Sequence, residues 1–150
     1  MTESDEARGR ARTSTRSKAR KRALDILFEA DLRGDDPLAT LAERTADADP
    51  PVRDYTATLV KGVVEHAAEI DARIAAAAVR GWSLSRMPRV DRAALRVAVL
   101  EIDHLDVPDA VAVAEAVSLV GALSTDDSPS FVNGLLGTVV ATKPRQDDRS

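Results

Sequence analysis

At 150 residues with 44% apolar side chains, the chain can fold as one domain with a real core. It has no cysteine, which excludes a disulfide framework and a thiolate metal site, and its longest apolar run, Ile74–Val79, is far too short to span a membrane. The net charge of -4 excludes a generally basic nucleic-acid binder, so any such contact has to be local.

The charge is unevenly spread. Arg8, Arg10, Arg12, Arg16, Lys18, Arg20, Lys21 and Arg22 follow one another with no acidic residue between them, a +8 segment that leaves -12 for the rest of the chain. Residues 1–16 have no apolar residue larger than alanine after Met1 and are expected to form a loose basic tail. Glu3, Asp5 and Glu6 argue against an organelle transit peptide, and no secretory apolar region follows, so the cytoplasm is the expected location.

The first helix is expected from the cap candidate Ser17 to about Arg33, with Ala23, Leu24, Leu27, Phe28 and Ala30 on one face. That start would set Lys18, Arg20, Lys21 and Arg22 at the positive end of the helix dipole, disfavoured by roughly 0.3–1 kcal/mol each when exposed. Phosphate would remove the penalty, so the run reads as an RNA or DNA backbone contact. The alternatives are a solvated basic tail and a patch for anionic lipid, the latter without an apolar anchor.

Gly34-Asp35-Asp36-Pro37 signals a turn, and a short helix is expected over Leu38–Asp47. Val52 to Val79 is helical in pattern throughout; as one rod it would be about 42 Å long at 1.5 Å per residue, so a break is expected near Gly62–His66. Gly81 and Trp82 open a connector ending at Met87-Pro88. Val90–Leu105 is the clearest core helix, with Leu95, Ala98, Val99, Ile102 and Leu105 on one side. A further helix runs from Pro108 to Leu123. The last begins with Ser128 as cap and Pro129 as first residue, carries Phe131, Val132, Leu135, Leu136, Val139 and Val140, and fades before Pro144, leaving a polar tail. The expected fold class is all-α, in antiparallel hairpins.

No catalytic constellation stands out. Glu101-x-x-His104 has the carboxylate–histidine spacing of di-iron bundles, but such sites need two pairs and two more carboxylates, and His66 with Glu69 runs in the reverse order. Glu101 is more simply a polar group at the core edge bonded to Arg96. No metal and no cofactor are expected. Gly134 and Gly137 lie inside the last helix and read as close helix–helix packing. Phe28, Tyr55, Trp82 and Phe131 read as core aromatics, with Phe28 and Phe131 also placed to stack a base.

Two segments are familiar together. RSKARKRALDILFEADLRG (Arg16–Gly34) resembles the opening of the NusB antitermination family, and STDDSPSFVNGLLG (Ser124–Gly137) resembles that family's signature before its last helix, centred on Phe131-Val132-Asn133-Gly134. Between them, Val90–Ile102 is similar to the family's central helix and Glu65–Asp71 to its helix break. The resemblance implies a compact fold of about seven helices in two antiparallel sub-bundles, covering residues 17–143 between a tail at 1–16 and another at 144–150. It implies a transcription antitermination factor without catalysis. Such a factor binds single-stranded boxA leader RNA of ribosomal RNA operons, pairs with the ribosomal protein NusE, and acts with other Nus factors on elongating RNA polymerase.

Carried over by position, the RNA-binding residues implied are Arg16, Lys18, Arg20, Lys21, Arg22, Phe28, Asp126, Asp127 and Phe131, and the NusE-facing acidic residue is Asp91. The chain departs from the family where Phe28 replaces a common tyrosine, and where Ala114-Glu115-Ala116 and Val120-Gly121 replace Asn-Glu-Ala and Ala-Lys. NusB-like domains also occur fused to ribosomal-RNA cytosine methyltransferases, and that enzyme is not expected in these 150 residues. Two other classes compete: a purely protein-binding helical module, and a di-iron bundle enzyme.

Overall fold

The computed structural model describes the backbone of residues 3–79 and 82–144, with side chains from residue 15 onward. The expected loose tail after Pro144 lies outside the described residues, as does Gly81 of the connector. All regular structure among the described residues is helical: α1 (Glu3–Arg33), α2 (Pro37–Asp47), α3 (Asp54–Glu65), α4 (Ala67–Ala77), α5 (Arg89–His104), α6 (Asp109–Leu123) and α7 (Ser128–Ala141), with a 3-10 turn at Leu84–Arg86. No helix among them is long and apolar enough to cross a membrane. The chain divides into two compact units, one ending at Lys61 and one starting at Gly62.

In the first unit, α1 starts well ahead of Ser17 and takes in most of the stretch expected as a tail. No proline interrupts residues 3–16, and their alanines and arginines favour helix. Lys18 to Arg22 therefore sit in mid-helix, where the amides are bonded within the helix, and the dipole argument for phosphate does not apply to them. The buried stripe of α1 is Ala19, Ala23, Leu24, Ile26, Leu27 and Ala30, and Leu41 of α2 and Leu59 and Val60 of α3 are buried in the same unit. The Thr56 hydroxyl on α3 donates to the Ala19 carbonyl at 2.9 Å, tying α3 to α1. Gly34 ends α1 at φ 72°, the left-handed region that glycine takes without strain. Asp36 then caps α2 by accepting from the Leu38 amide at 3.0 Å.

In the second unit, α5 is the central helix and packs against α4, α6 and α7. The expected break falls between Glu65 and Ala67, and His66 makes the bend with φ -106° and ψ 21°. Gly62 permits close approach to α5: a Cβ there would lie 2.7 Å from Leu100 Cδ2. On α6 the inward stripe is Ala112, Ala116 and Val120, and the larger Val111 stays 38% exposed. Small residues at a spacing of four let α6 lie close to its neighbours. Gly134 and Gly137 do not serve close packing: nothing lies within 4 Å of a Cβ at either, and both face outward.

Two forked ion pairs hold α4 to α5. Arg96 donates to Asp71 at 2.9 and 3.2 Å, so it is not the partner expected for Glu101. Arg73 donates to Asp103 at 2.8 and 3.2 Å and also to the Val139 carbonyl at 2.7 Å, bringing in the end of α7.

Candidate nucleic-acid and partner interface

At about 100° per residue, Lys18, Lys21, Arg22, Asp25 and Phe28 share one face of α1. Lys18 and Lys21 are exposed, and Arg22 and Phe28 are half-buried. The fold thus brings three expected cations and the expected stacking ring onto one surface. Lys21 is paired with Asp25 at 3.0 Å, both well exposed. Such a surface pair is worth about 0–1 kcal/mol, little enough to exchange for a phosphate.

Arg16 and Arg20 point the other way. Their guanidinium carbons lie 4.7 and 5.8 Å from the centroid of the Tyr55 ring on α3. Arg16 remains exposed, but Arg20 is only 2% exposed. The Tyr55 ring, negative at its π cloud, receives two cations one helical turn apart that would otherwise repel. Arg20, expected at the RNA, is thus packed within the first unit beside Tyr55 and not on the open face of α1. Tyr55 is the receiving ring, a role that sequence periodicity alone assigned only to the core.

In the second unit, Asp126 and Asp127 are exposed on the turn between α6 and α7, and Phe131 is half-buried in the first turn of α7. Asp127 stands at the helix start, but its side chain makes no capping bond. Ser128 is not the cap expected. It is buried, and its hydroxyl donates to Asp91 at 2.9 Å. Phe131 meets Trp82 with ring centroids 5.6 Å apart and planes tilted by 40°. Trp82 is 50% exposed, so it is not the core aromatic expected from its hydrophobicity. Its place on a polar connector rather than an apolar helical stripe was the available signal.

Asp91, expected to face a partner, is 1% exposed. Its two carboxylate oxygens accept from Ser124 Oγ at 2.7 Å and Ser128 Oγ at 2.9 Å. A carboxylate at the first turn of α5 gains from the helix dipole, and the two hydroxyls satisfy it without solvent. Its observed work is to fix the turn that carries Asp126, Asp127 and Phe131.

The chain matches the model of the NusB family over residues 17–141. It is 58% identical to a transcription antitermination protein NusB of Nocardioides sp., covering 87% of this chain and 97% of the relative. It is 57% identical to another of that description from Acidothermus cellulolyticus, covering 85% and 88%. Among solved structures, T. maritima NusB superposes with a TM-score of 0.74 at 26% identity, covering 89% of this chain and 96% of that one. A crystal structure of antitermination factors NusB and NusE in complex with dsRNA gives a TM-score of 0.73 at 30% identity, covering 84% and 96%. A family match spanning both units, with close relatives matched over nearly their whole length, leaves one assignment: this chain belongs to the NusB family.

Proposed function

We propose that the protein is a transcription antitermination factor that binds boxA leader RNA of ribosomal RNA operons and works with NusE on elongating RNA polymerase, as a non-catalytic adaptor. Family membership gives the function class, and the observation that carries the RNA reading is the face of Lys18, Lys21, Arg22 and Phe28 in an otherwise acidic chain. Cations there neutralise phosphates, and a half-exposed ring offers a stacking surface for a base. Phe28 lacks the hydroxyl of a tyrosine, so it can stack but cannot donate a hydrogen bond.

On the second unit, Asp126, Asp127 and Phe131 are proposed as further RNA-contacting residues, and Trp82 adds a second ring beside Phe131. Asp91 acts as a positioning residue for that turn. Its contribution to NusE binding is then indirect, through the turn it holds. Arg16 contributes a long-range positive potential from the rim.

The deciding experiment is a titration of boxA single strand against a scrambled strand and a duplex, each with and without NusE. Selective binding of the boxA strand supports the proposal. Equal weak binding of all three would make the protein a protein-binding module whose basic run is incidental.

A further inference from the structure

His66 and His104 are the chain's two histidines, and the fold stacks them face to face, with centroids 3.8 Å apart and planes within 11°. His66 lies at the α3–α4 bend and His104 ends α5. Glu69, in the first turn of α4, places Oε2 3.1 Å from His104 Nε2 and 3.8 Å from His66 Nδ1. One ligand atom from each of the three residues lies within 4.8 Å of the others. We propose that His66, Glu69 and His104 bind one divalent transition-metal ion of the Zn2+ or Co2+ class, joining the α3–α4 bend to the end of α5.

The donor set selects the ion. Two imidazoles and one carboxylate suit zinc, cobalt, nickel or copper, whereas magnesium and calcium prefer all-oxygen sites. The spacing is near what such an ion needs. With bonds of about 2.0–2.1 Å in a tetrahedron, neighbouring ligand atoms sit roughly 3.3 Å apart. The Glu69–His104 separation already meets this, His66 has to close on Glu69 by about half an ångström, and the two ring nitrogens, which lie within 4.8 Å of each other, have to come to the same spacing. Parallel rings aim their lone pairs side by side, so one imidazole has to turn out of the stack; both rings are partly exposed, 30% for His66 and 25% for His104.

Three surrounding features favour a cation. The carbonyl ends of α3 and α5 both lie at the site and carry partial negative charge, against the single amide end of α4. Arg73, the nearby cation, is forked onto Asp103 and the Val139 carbonyl, so its charge is compensated. A cavity of about 510 Å3 borders Glu69 and His104, leaving space for a water or an outside ligand in the remaining coordination position. The sequence spacing concealed this set because Glu101, not Glu69, stands three residues before His104. Glu101 is buried in the core, and the carboxylate that meets His104 comes from α4.

The test uses the untagged full chain, since a polyhistidine tag would bind the same ions. Zn2+ is titrated by calorimetry with Mg2+ in excess, and Co2+ is followed by its visible d–d absorption. One ion per chain is expected, with affinity falling at least about tenfold in His66→Ala and in His104→Ala, and less in Glu69→Gln. All three residues lie at the surface or partly so, and circular dichroism verifies each fold. Zn2+ should raise the melting temperature of the parent chain and leave that of the double histidine variant unchanged. No uptake by the parent overturns the site, and so does uptake that both histidine variants retain in full.

Discussion

Ser128 gives its hydroxyl proton to the buried carboxylate of Asp91 at 2.9 Å, so the first residue of α7 is fastened to the first turn of α5. Ser124 fastens the other end of the same turn at 2.7 Å. Removing the shared acceptor leaves the Ser124 and Ser128 hydroxyls only each other and Thr125, and hydrogen bonds to charged groups are worth about 1.5–3 kcal/mol each. Asp91→Ala is expected to lower stability by about 2–4 kcal/mol, and Asp91→Lys by more, because an ammonium would be buried against donors. Urea unfolding of Asp91→Ala, Ser128→Ala and the double variant should show a coupling above about 1 kcal/mol. Additive effects would mean that the carboxylate faces solvent and is free for a partner.

The glycines of α3 and α7 should respond oppositely to the same substitution. Alanine gains about 1 kcal/mol of helix propensity over glycine. At Gly62 the new methyl would meet Leu100 Cδ2 at 2.7 Å and Cδ1 at 2.9 Å, and Leu100 is itself 1% exposed and held by its neighbours. Overpacking of that kind costs about 1–3 kcal/mol, so Gly62→Ala is expected to be destabilising on balance. At Gly137 nothing lies within 4 Å, so Gly137→Ala should raise the melting temperature. Thermal melts of the two variants decide the point; a destabilised Gly137→Ala chain would reveal a neighbour for that face.

These contrasts show what local pattern could and could not carry. The helix break was legible because one rod from Val52 to Val79 is too long for the domain and Gly62 lies inside it. The α5 stripe was legible because Leu95, Ala98, Val99 and Ile102 repeat at helical spacing, and all four are buried. The start of α1 was not, because Ser17 has a cap's chemistry without a cap's position. The inward turn of Arg20 depends on Tyr55, far along the chain, as the histidine stack depends on α3 and α5 meeting. Trp82 was misread because hydrophobicity predicts burial only on average.

Arg73 joins three helices of the second unit, and lysine cannot reproduce its geometry. Besides the fork on Asp103, its Nη1 donates to Thr142 Oγ1 at 2.9 Å and its Nη2 to the Val139 carbonyl at 2.7 Å. The pair is largely screened from water, with side-chain exposures of 21% for Arg73 and 10% for Asp103. A planar guanidinium meets all these acceptors at once, whereas an ammonium is a single point of charge. Arg73→Lys is expected to cost about 1–3 kcal/mol, and Arg73→Ala more, since it leaves Asp103 without its cation. Chemical denaturation measures both. Equal stability of Arg73→Lys and the parent would show that charge alone, not the fork, holds α4 to α5 and α7.

The two sides of α1 predict different responses of RNA binding to salt. On a single strand, each phosphate neutralised contributes about 0.7 to the slope of log K against log salt. Lys18 and Lys21 are exposed on the proposed RNA face, and the Lys21–Asp25 pair is too weak to hold the lysine back. Replacing both with alanine should flatten the slope by about 1.4 and weaken binding of every strand sequence alike. Arg20 carries the same charge on the same helix, but it is buried beside Tyr55. Arg20→Ala should therefore leave the slope near its parent value and lower the melting temperature. Anisotropy titrations of boxA RNA across a range of salt concentrations, with a melt on each preparation, separate these effects. A slope flattened by Arg20→Ala as much as by the double lysine variant would mean that Arg20 leaves Tyr55 to reach a phosphate, and the division of α1 into a packing side and an RNA side would fail.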